Sequence, residues 1–200
     1  MINPRRPYFN DLAADWDHLP EPPNAGEKVS DFVRRSNASG APRILDVGCG
    51  TGILMPYLQD FYPGAGCFVE LDLAECMLQI NAAKYPGARI GRICADAENL
   101  PFMKSCFDLV LCFGVFPHFE NKVLALEQML NILRSGGIWC LGHLMGSREL
   151  NAFHSKLSGP VSGDSLPSIK VFAEMLHEMG MKDISTEENS DWYFVRAVKP

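Results

Sequence analysis

The sequence predicts an α/β fold in which a mainly parallel sheet is wound between helices on both faces. Three observations lead there. Short apolar runs alternate with amphipathic stretches through most of the chain, the pattern of repeated strand–helix units. One apolar run leads straight into a glycine-rich turn, Gly48-Cys49-Gly50-Thr51-Gly52, that opens a helix. The run over 107–113 is apolar almost throughout, as expected of a strand covered on both faces.

The first 24 residues set Tyr8, Phe9 and Trp16 among Asp11, Asp15 and Asp17, then break at Pro20, Pro22 and Pro23. They read as a short helix and a turn, with a second helix over 25–35 and a loop over 36–42. Strands follow at 43–47, 67–71, 89–95, 107–113 and 138–141, with helices at 53–60 and 74–84 between the first three. Tyr85-Pro86-Gly87 closes the second of these helices. The stretch 120–134 is amphipathic, offering Val123, Leu124, Leu126, Leu130 and Leu133 to one face, and Ser135-Gly136-Gly137 ends it. A helix opens at Gly146-Ser147, and the tail adds a helix over 168–179 and strands at 182–187 and 192–198.

The 200 residues suffice for one α/β domain, so 1–200 is expected to be a single unit. Within it, 1–40 is an N-terminal helical segment and 144–167 an insertion longer than a simple strand-to-helix connection. Apolar residues make up 47% of the chain and charged ones 21%, a globular balance. With a net charge of −6 and no basic run longer than Arg5-Arg6 or Arg34-Arg35, nucleic acid is not expected as a partner. No stretch has the length of a membrane span, and the N-terminus lacks the apolar core of a signal peptide. The seven cysteines are odd in number and none is spaced as a zinc knuckle or redox pair. They read as free thiols in a reducing cytoplasm rather than as a metal site.

The glycine turn carries the chemistry. Its glycines supply the torsions of a tight turn and let a ligand approach the backbone without a Cβ in the way. About 20 residues beyond Gly52, at the end of the next strand, stands Asp72, placed to accept from both hydroxyls of a ribose. Dinucleotide sites use Gly-x-Gly-x-x-Gly and rest a pyrophosphate on the helix N-terminus. Here the spacing is Gly-x-Gly-x-Gly, and Asp46 precedes the first glycine by two positions. That carboxylate would repel a pyrophosphate and suits an ammonium, which S-adenosylmethionine carries.

Four blocks then resemble the class I S-adenosylmethionine-dependent methyltransferases of small-molecule type. They are the strand and glycine turn from Ile44 to Gly52, Leu71-Asp72-Leu73-Ala74, Asp96-Ala97-Glu98-Asn99-Leu100-Pro101-Phe102 with Phe107-Asp108-Leu109-Val110, and Leu133-Arg134-Ser135-Gly136-Gly137. The resemblance implies a Rossmann-like, doubly wound sheet of seven strands whose last strand runs antiparallel. It implies that Asp46 with the Gly48, Cys49, Gly50 and Gly52 turn holds the methionine part. It further assigns the ribose to Asp72, packing on the adenine to Leu73, the adenine amine to Asp96, a ring nitrogen to the Ala97 amide, and the sulfonium border to Phe113 and Gly114. One departure stands out. Glu70 occupies a place usually small in the family, where it would compete for the ribose or pair with a cation.

Methyl transfer from a sulfonium is an in-line displacement that needs alignment and a dry site, with a base only when the acceptor must lose a proton. His118, His143 and His154 are the candidates for that base or for a shared metal, each with a structural alternative as a packing residue. His18 and His177 read as solvated or structural. Asn151 borders the 147–154 helix beside His154, and Tyr8, Phe9 and Trp16, with the 144–167 insertion, would cap an acceptor pocket unless these aromatics pack the first helix onto the sheet. The acceptor is expected to be a small molecule. The competing classes are a domain of this family that binds cofactor or metal without turnover, and a nicotinamide-dependent oxidoreductase, against which the glycine spacing and Asp46 both argue.

Overall fold

The computed structural model describes residues 3–40 and 42–200; Met1, Ile2 and Ala41, in the N-terminal stretch and the loop before the first strand, lie outside it. The chain runs through α1 (Arg5–Leu12), α2 (Ala25–Ser36), β1 (Arg43–Val47), α3 (Met55–Phe61), β2 (Cys67–Asp72) and α4 (Glu75–Lys84). It continues through β3 (Ile90–Cys94), β4 (Phe107–Phe113), α5 (Lys122–Ile132), β5 (Leu133–His143) and α6 (Ser147–His154). It finishes with α7 (Ile169–Glu178), β6 (Lys182–Asn189) and β7 (Trp192–Val198). The seven strands form one sheet in the order β3-β2-β1-β4-β5-β7-β6. Pairs from β3 through β5 are parallel, and β7 enters antiparallel between β5 and β6.

Strand alternation splits the core in two. Leu45 and Val47 of β1, Val110 and Cys112 of β4, and Trp139 and Leu141 of β5 face the side covered by α5 and α7, where Leu126, Met129, Phe172 and Leu176 are buried. Ile44, Leu109, Leu111, Ile138 and Cys140 face the side covered by α2 and α3, against Phe32, Val33, Leu54 and Leu58. Both faces of β1 and β4 are therefore covered, which is why the fourth strand reads as unbroken apolar sequence.

Two predicted boundaries are wrong. The helix expected over 120–134 stops at Ile132, and β5 begins at Leu133 rather than at 138. Leu133 is extended (φ −75°, ψ 134°) and pairs with Phe107, while the Gly136 amide donates to the Lys199 carbonyl at 2.8 Å. Pairing with a neighbouring strand and the chain's own tail outweighs the helical propensity of the sequence. The helix expected from 53 likewise begins at Met55, with Pro56 in its first turn.

Strand order reverses between β1 and β4: the chain winds outward from β1 to β3, then returns to β4 on the other side. In such sheets ligands bind outside the carboxyl ends of the strands at this switch point. The glycine turn leaves β1 there, and Gly114 leaves β4 beside it.

Candidate active site

The Gly48 and Cys49 amides both donate to the Leu71 carbonyl, at 2.7 and 3.0 Å, drawing the turn against the end of β2. Gly48 sits at φ +72°, and a Cβ there would meet Val115 at 2.3 Å, so torsion and packing both require glycine. Gly50, at φ +53°, has only the Trp16 indole within reach, at 3.7 Å, and keeps the floor of the site open. Asp72 accepts from the Gly50 amide at 2.9 Å and the Ala74 amide at 2.8 Å. Each oxygen keeps a lone pair for a hydroxyl. Burial raises the Asp72 carboxyl above its ordinary range despite these donors.

A single cavity of about 540 Å³ runs from this floor across the carboxyl ends of the strands. Val47, Gly48, Cys49, Gly50, Asp72 and Leu73 line one end, Asp96 and Ala97 a side wall, and Phe113, Gly114, His118 and His143 the far end. Asp96 is oriented by the Glu98 amide at 3.0 Å and by Asn3 Nδ2 at 3.1 Å. The residues present fit S-adenosylmethionine: a carboxylate with free lone pairs for the ribose, an acceptor beside an open amide wall for the adenine, and a glycine floor without side chains.

At the far end the N-terminal segment and the 144–167 segment meet. His118 Nδ1 lies 2.6 Å from Asp164 Oδ2, and Arg5 also engages the Asp164 carboxylate. His154 Nδ1 bonds the Asp164 carbonyl at 3.0 Å, and its ring stacks at a tilt 5.1 Å from that of His118. Burial acts to raise the Asp164 carboxyl, but bonds from His118 and Arg5 prevail and hold it at about 2. His143 is fully buried, and burial followed by the charges of His118 and His154 pushes it down to about 3. It is therefore a neutral imidazole, and its Nε2 has no partner in the protein.

The predicted candidates divide. Gly48, Cys49, Gly50, Asp72, Leu73, Asp96, Ala97, Phe113, His118, His143 and Trp16 all line the cavity. Asp46, Gly52, His154, Tyr8 and Asn151 are not among the lining residues. Asp46 lies beneath the glycine turn, 1% exposed, with Oδ2 unpartnered. Gly52 is required elsewhere, since a Cβ would strike Asn81 and Tyr85 at 2.8 Å. The Asn151 amide is used twice on the backbone of Leu166, at 2.9 and 2.7 Å, so it closes a loop instead of facing an acceptor. Tyr8 packs edge-on against Phe9, and Phe9 reaches the cavity in its stead. Glu70 does not turn to the ribose; Asn81 Nδ2 donates to it at 2.8 Å on the opposite side of the turn. His18 and His177 are exposed, as expected.

Sequence reasoning missed Asp164, Arg5 and Asn3. Asp164 stands alone among Gly163, Ser165 and Pro167, and a single carboxylate in a loop carries no spacing by which to find its histidine. Asn3 and Arg5 reach their partners from 93 and 159 positions away.

Comparison with known proteins agrees with this geometry. Residues 45–141 match the family model of a methyltransferase domain. The chain is 36% identical over 113 residues to the malonyl-[acyl-carrier protein] O-methyltransferase of Methylococcus capsulatus, covering 56% of this chain and 40% of that relative. The curated relatives it matches are longer, and the chain spans 34% to 52% of their length. Among solved structures, the fold is shared with the chain in complex with the Haloferax volcanii Trm112 methyltransferase activator (TM-score 0.80, 18% identity, 96% of this chain and 97% of that one). It is shared too with phosphoethanolamine N-methyltransferase 2 of Haemonchus contortus, solved with phosphomonomethylethanolamine and S-adenosylhomocysteine (TM-score 0.77, 18% identity, 98% of this chain and 58% of that one). A seven-stranded sheet with an antiparallel β7, a glycine turn at its switch point and the matched model over residues 45–141 together mark a methyltransferase domain with the fold of the class I S-adenosylmethionine-dependent methyltransferases.

Proposed function

We propose that this chain moves the methyl group of S-adenosylmethionine onto a small molecule seated at the histidine end of the cavity. The observation that carries this reading is the continuity of one cavity from the glycine floor and Asp72 to His118 and His143. The bound cofactor would supply an electrophilic methyl group on a sulfonium. Asp72 would hold its ribose, Leu73 would pack on its adenine, and Asp96 with the Ala97 amide would read the adenine edge. The turn at Gly48, Cys49 and Gly50 would carry the methionine part, with Phe113 and Gly114 bordering the reacting end.

The remaining wall belongs to the acceptor. Phe9, Trp16, Phe119, Met145 and Leu150 are apolar and exclude water, which strengthens every polar contact made inside. Asp164 accepts from Nδ1–H of His118, which leaves the lone pair of His118 on Nε2 to take a proton from an acceptor hydroxyl or amine. His143, neutral and buried, forms part of the wall at the acceptor end and does not change charge near neutral pH. The 144–167 segment acts as the cap and, with α1, closes the acceptor end of a single domain. All seven cysteines are free, which suits a reducing cytoplasm.

Two measurements test the reading: calorimetric binding of S-adenosylmethionine, and transfer of its labelled methyl group across a panel of apolar and aromatic hydroxyl and amine acceptors. His118→Ala should lower transfer by about 10²–10⁴-fold for acceptors that must lose a proton, with cofactor affinity nearly unchanged. Loss of affinity and melting temperature together would make His118 a packing residue, and absence of cofactor binding would overturn the reading as a whole.

A further inference from the structure

On the sheet face otherwise filled by Ile44, Phe68 and Leu111, three ionisable residues stand in a row across adjacent strands. Asp46 of β1 is in register with Glu70 of β2, and Glu70 with Arg92 of β3. Neighbouring parallel strands lie about 4.8 Å apart, and residues in register project to the same face. The row is therefore a contiguous line of side chains, and Asp46 and Glu70 are 1% and 0% exposed.

The hydrogen bonds run down the line and stop. Arg92 Nε donates to Asn81 Oδ1 at 2.7 Å, and Asn81 Nδ2 donates to Glu70 Oε2 at 2.8 Å. Glu70 Oε1 and Asp46 Oδ2 are buried and without a partner. Two buried carboxyl groups in register on neighbouring strands, each with an unpartnered oxygen, repel when both are ionised, and leaving such atoms unpaired is costly. One proton held by the pair removes the repulsion.

We infer that Asp46 and Glu70 share a single proton in the cofactor-free protein, and that binding of cationic S-adenosylmethionine above them expels it to solvent. In that step the O–H bond of the shared acid breaks, the proton goes to buffer, and both groups become carboxylates. Asp46 then faces the cofactor's positive charge across the turn, while Glu70 keeps Asn81 and, through it, Arg92. The pair makes cofactor affinity depend on pH, and Glu70 becomes a positioning residue that touches neither cofactor nor acceptor.

The surroundings agree from every side. Burial pushes the Glu70 carboxyl up to about 7, with Asn81, Cys49 and Arg92 pulling it back and Asp72 adding to the rise. Burial, then Glu70 and Asp72, raise Asp46 well above the carboxylate range. The nearby thiols, Cys49 of the turn and Cys112 of β4, are pushed well up by burial and stay neutral. Arg92 acts on Glu70 by its charge and is tied to it through Asn81.

This inference rests on the cofactor reading, and the test separates the two. Binding of S-adenosylmethionine is measured by calorimetry at pH 7 in buffers of different ionisation enthalpy, with infrared spectra of the cofactor-free protein. The wild type should release a substantial fraction of one proton on binding, and its affinity should fall up to tenfold per pH unit on acidification below 7. Glu70→Gln, which keeps the bond to Asn81 and offers Asp46 a donor, should bind with almost no proton release and little pH dependence. Equal proton release in both proteins, or none in the wild type, overturns the inference while leaving cofactor binding intact. The cofactor-free wild type should also show a buried protonated carboxyl band at pH 7, lost in Glu70→Gln. Its absence overturns the shared proton whatever the calorimetry shows, and its presence alongside a failure to bind would sink the cofactor reading instead.

Discussion

Asp72 accepts from two backbone amides, one in the glycine turn and one at the start of α4, so it is the clasp that holds the turn to β2, besides the ribose-binding role proposed for it. Asp72→Ala should therefore weaken S-adenosylmethionine binding by roughly 1.5–3 kcal/mol, the range for hydrogen bonds to a charged group. It should also lower the melting temperature, because the Gly50 and Ala74 amides lose their acceptor. Calorimetry and thermal denaturation on the same variant check both; a lower melting point with unchanged affinity would make Asp72 a clasp only. Glu70 carries the opposite lesson. Its place two residues before Asp72 puts it on the same strand, yet its bonds go to α4, and Asn81 decides that. A carboxylate's address in sequence does not say which of several neighbours will claim its oxygens.

Elements from the two ends of the chain close over the cavity. Arg5 of α1 joins Asp164, Arg6 joins Glu75 of α4, and Asn10 accepts from the Cys76 amide at 2.9 Å. Farther on, Asp17 meets Thr51 at 2.5 Å and Lys84 at 2.8 Å, tying the N-terminal segment to the glycine turn. Asp164 is the hub of this closure, 4% exposed and shared by Arg5 and His118. Its carboxyl, depressed to about 2 against an unfolded value near 3.9, contributes stability above pH 4 that is lost as pH falls through 2. Asp164→Asn should then destabilise the protein by about 1–3 kcal/mol at pH 7, with the two proteins converging toward pH 2. Urea unfolding at several pH values reads this directly, and a difference independent of pH would show that charge plays no part in the closure.

At the scale of the molecule, the cavity touches β1, β2, β4 and β5, the N-terminal segment and the 144–167 segment at once. A ligand filling it bridges pieces that otherwise meet through a few polar contacts. S-adenosylmethionine at a hundred times its dissociation constant should stabilise the folded chain by about 2.7 kcal/mol, or roughly 5–10 °C for a chain of this size. The shift should grow with the logarithm of concentration in a thermal melt. A melting point indifferent to saturating cofactor would mean that the folded state has no preference for it. No helix among the described residues is long and apolar enough to cross a membrane, and none of the described His, Cys, Asp and Glu residues forms a metal-holding cluster.

The fold and one wall of the cavity were legible in the sequence because both are local. Strand and helix follow from side-chain period, and the glycine turn with Asp72, Asp96 and Ala97 sits at strand ends that the period places. The strand that begins at Leu133 was not legible, because its pairing with Phe107 and the bond from Gly136 to Lys199 lie outside any local window. The same holds for the acceptor end. The sequence offered three histidines without rank; tertiary contacts put His118 on Asp164, hid His154 behind it, and left His143 neutral in the dry wall. Proton placement depends on burial and on partners more than 40 positions away, such as Asp164 for His118, and the row of Asp46, Glu70 and Arg92 exists only once three strands lie in register. Period and spacing act along the chain, while charge and solvation act through space, so the sequence determined the scaffold and its glycine turn, and folding alone decided which charged and polar groups meet.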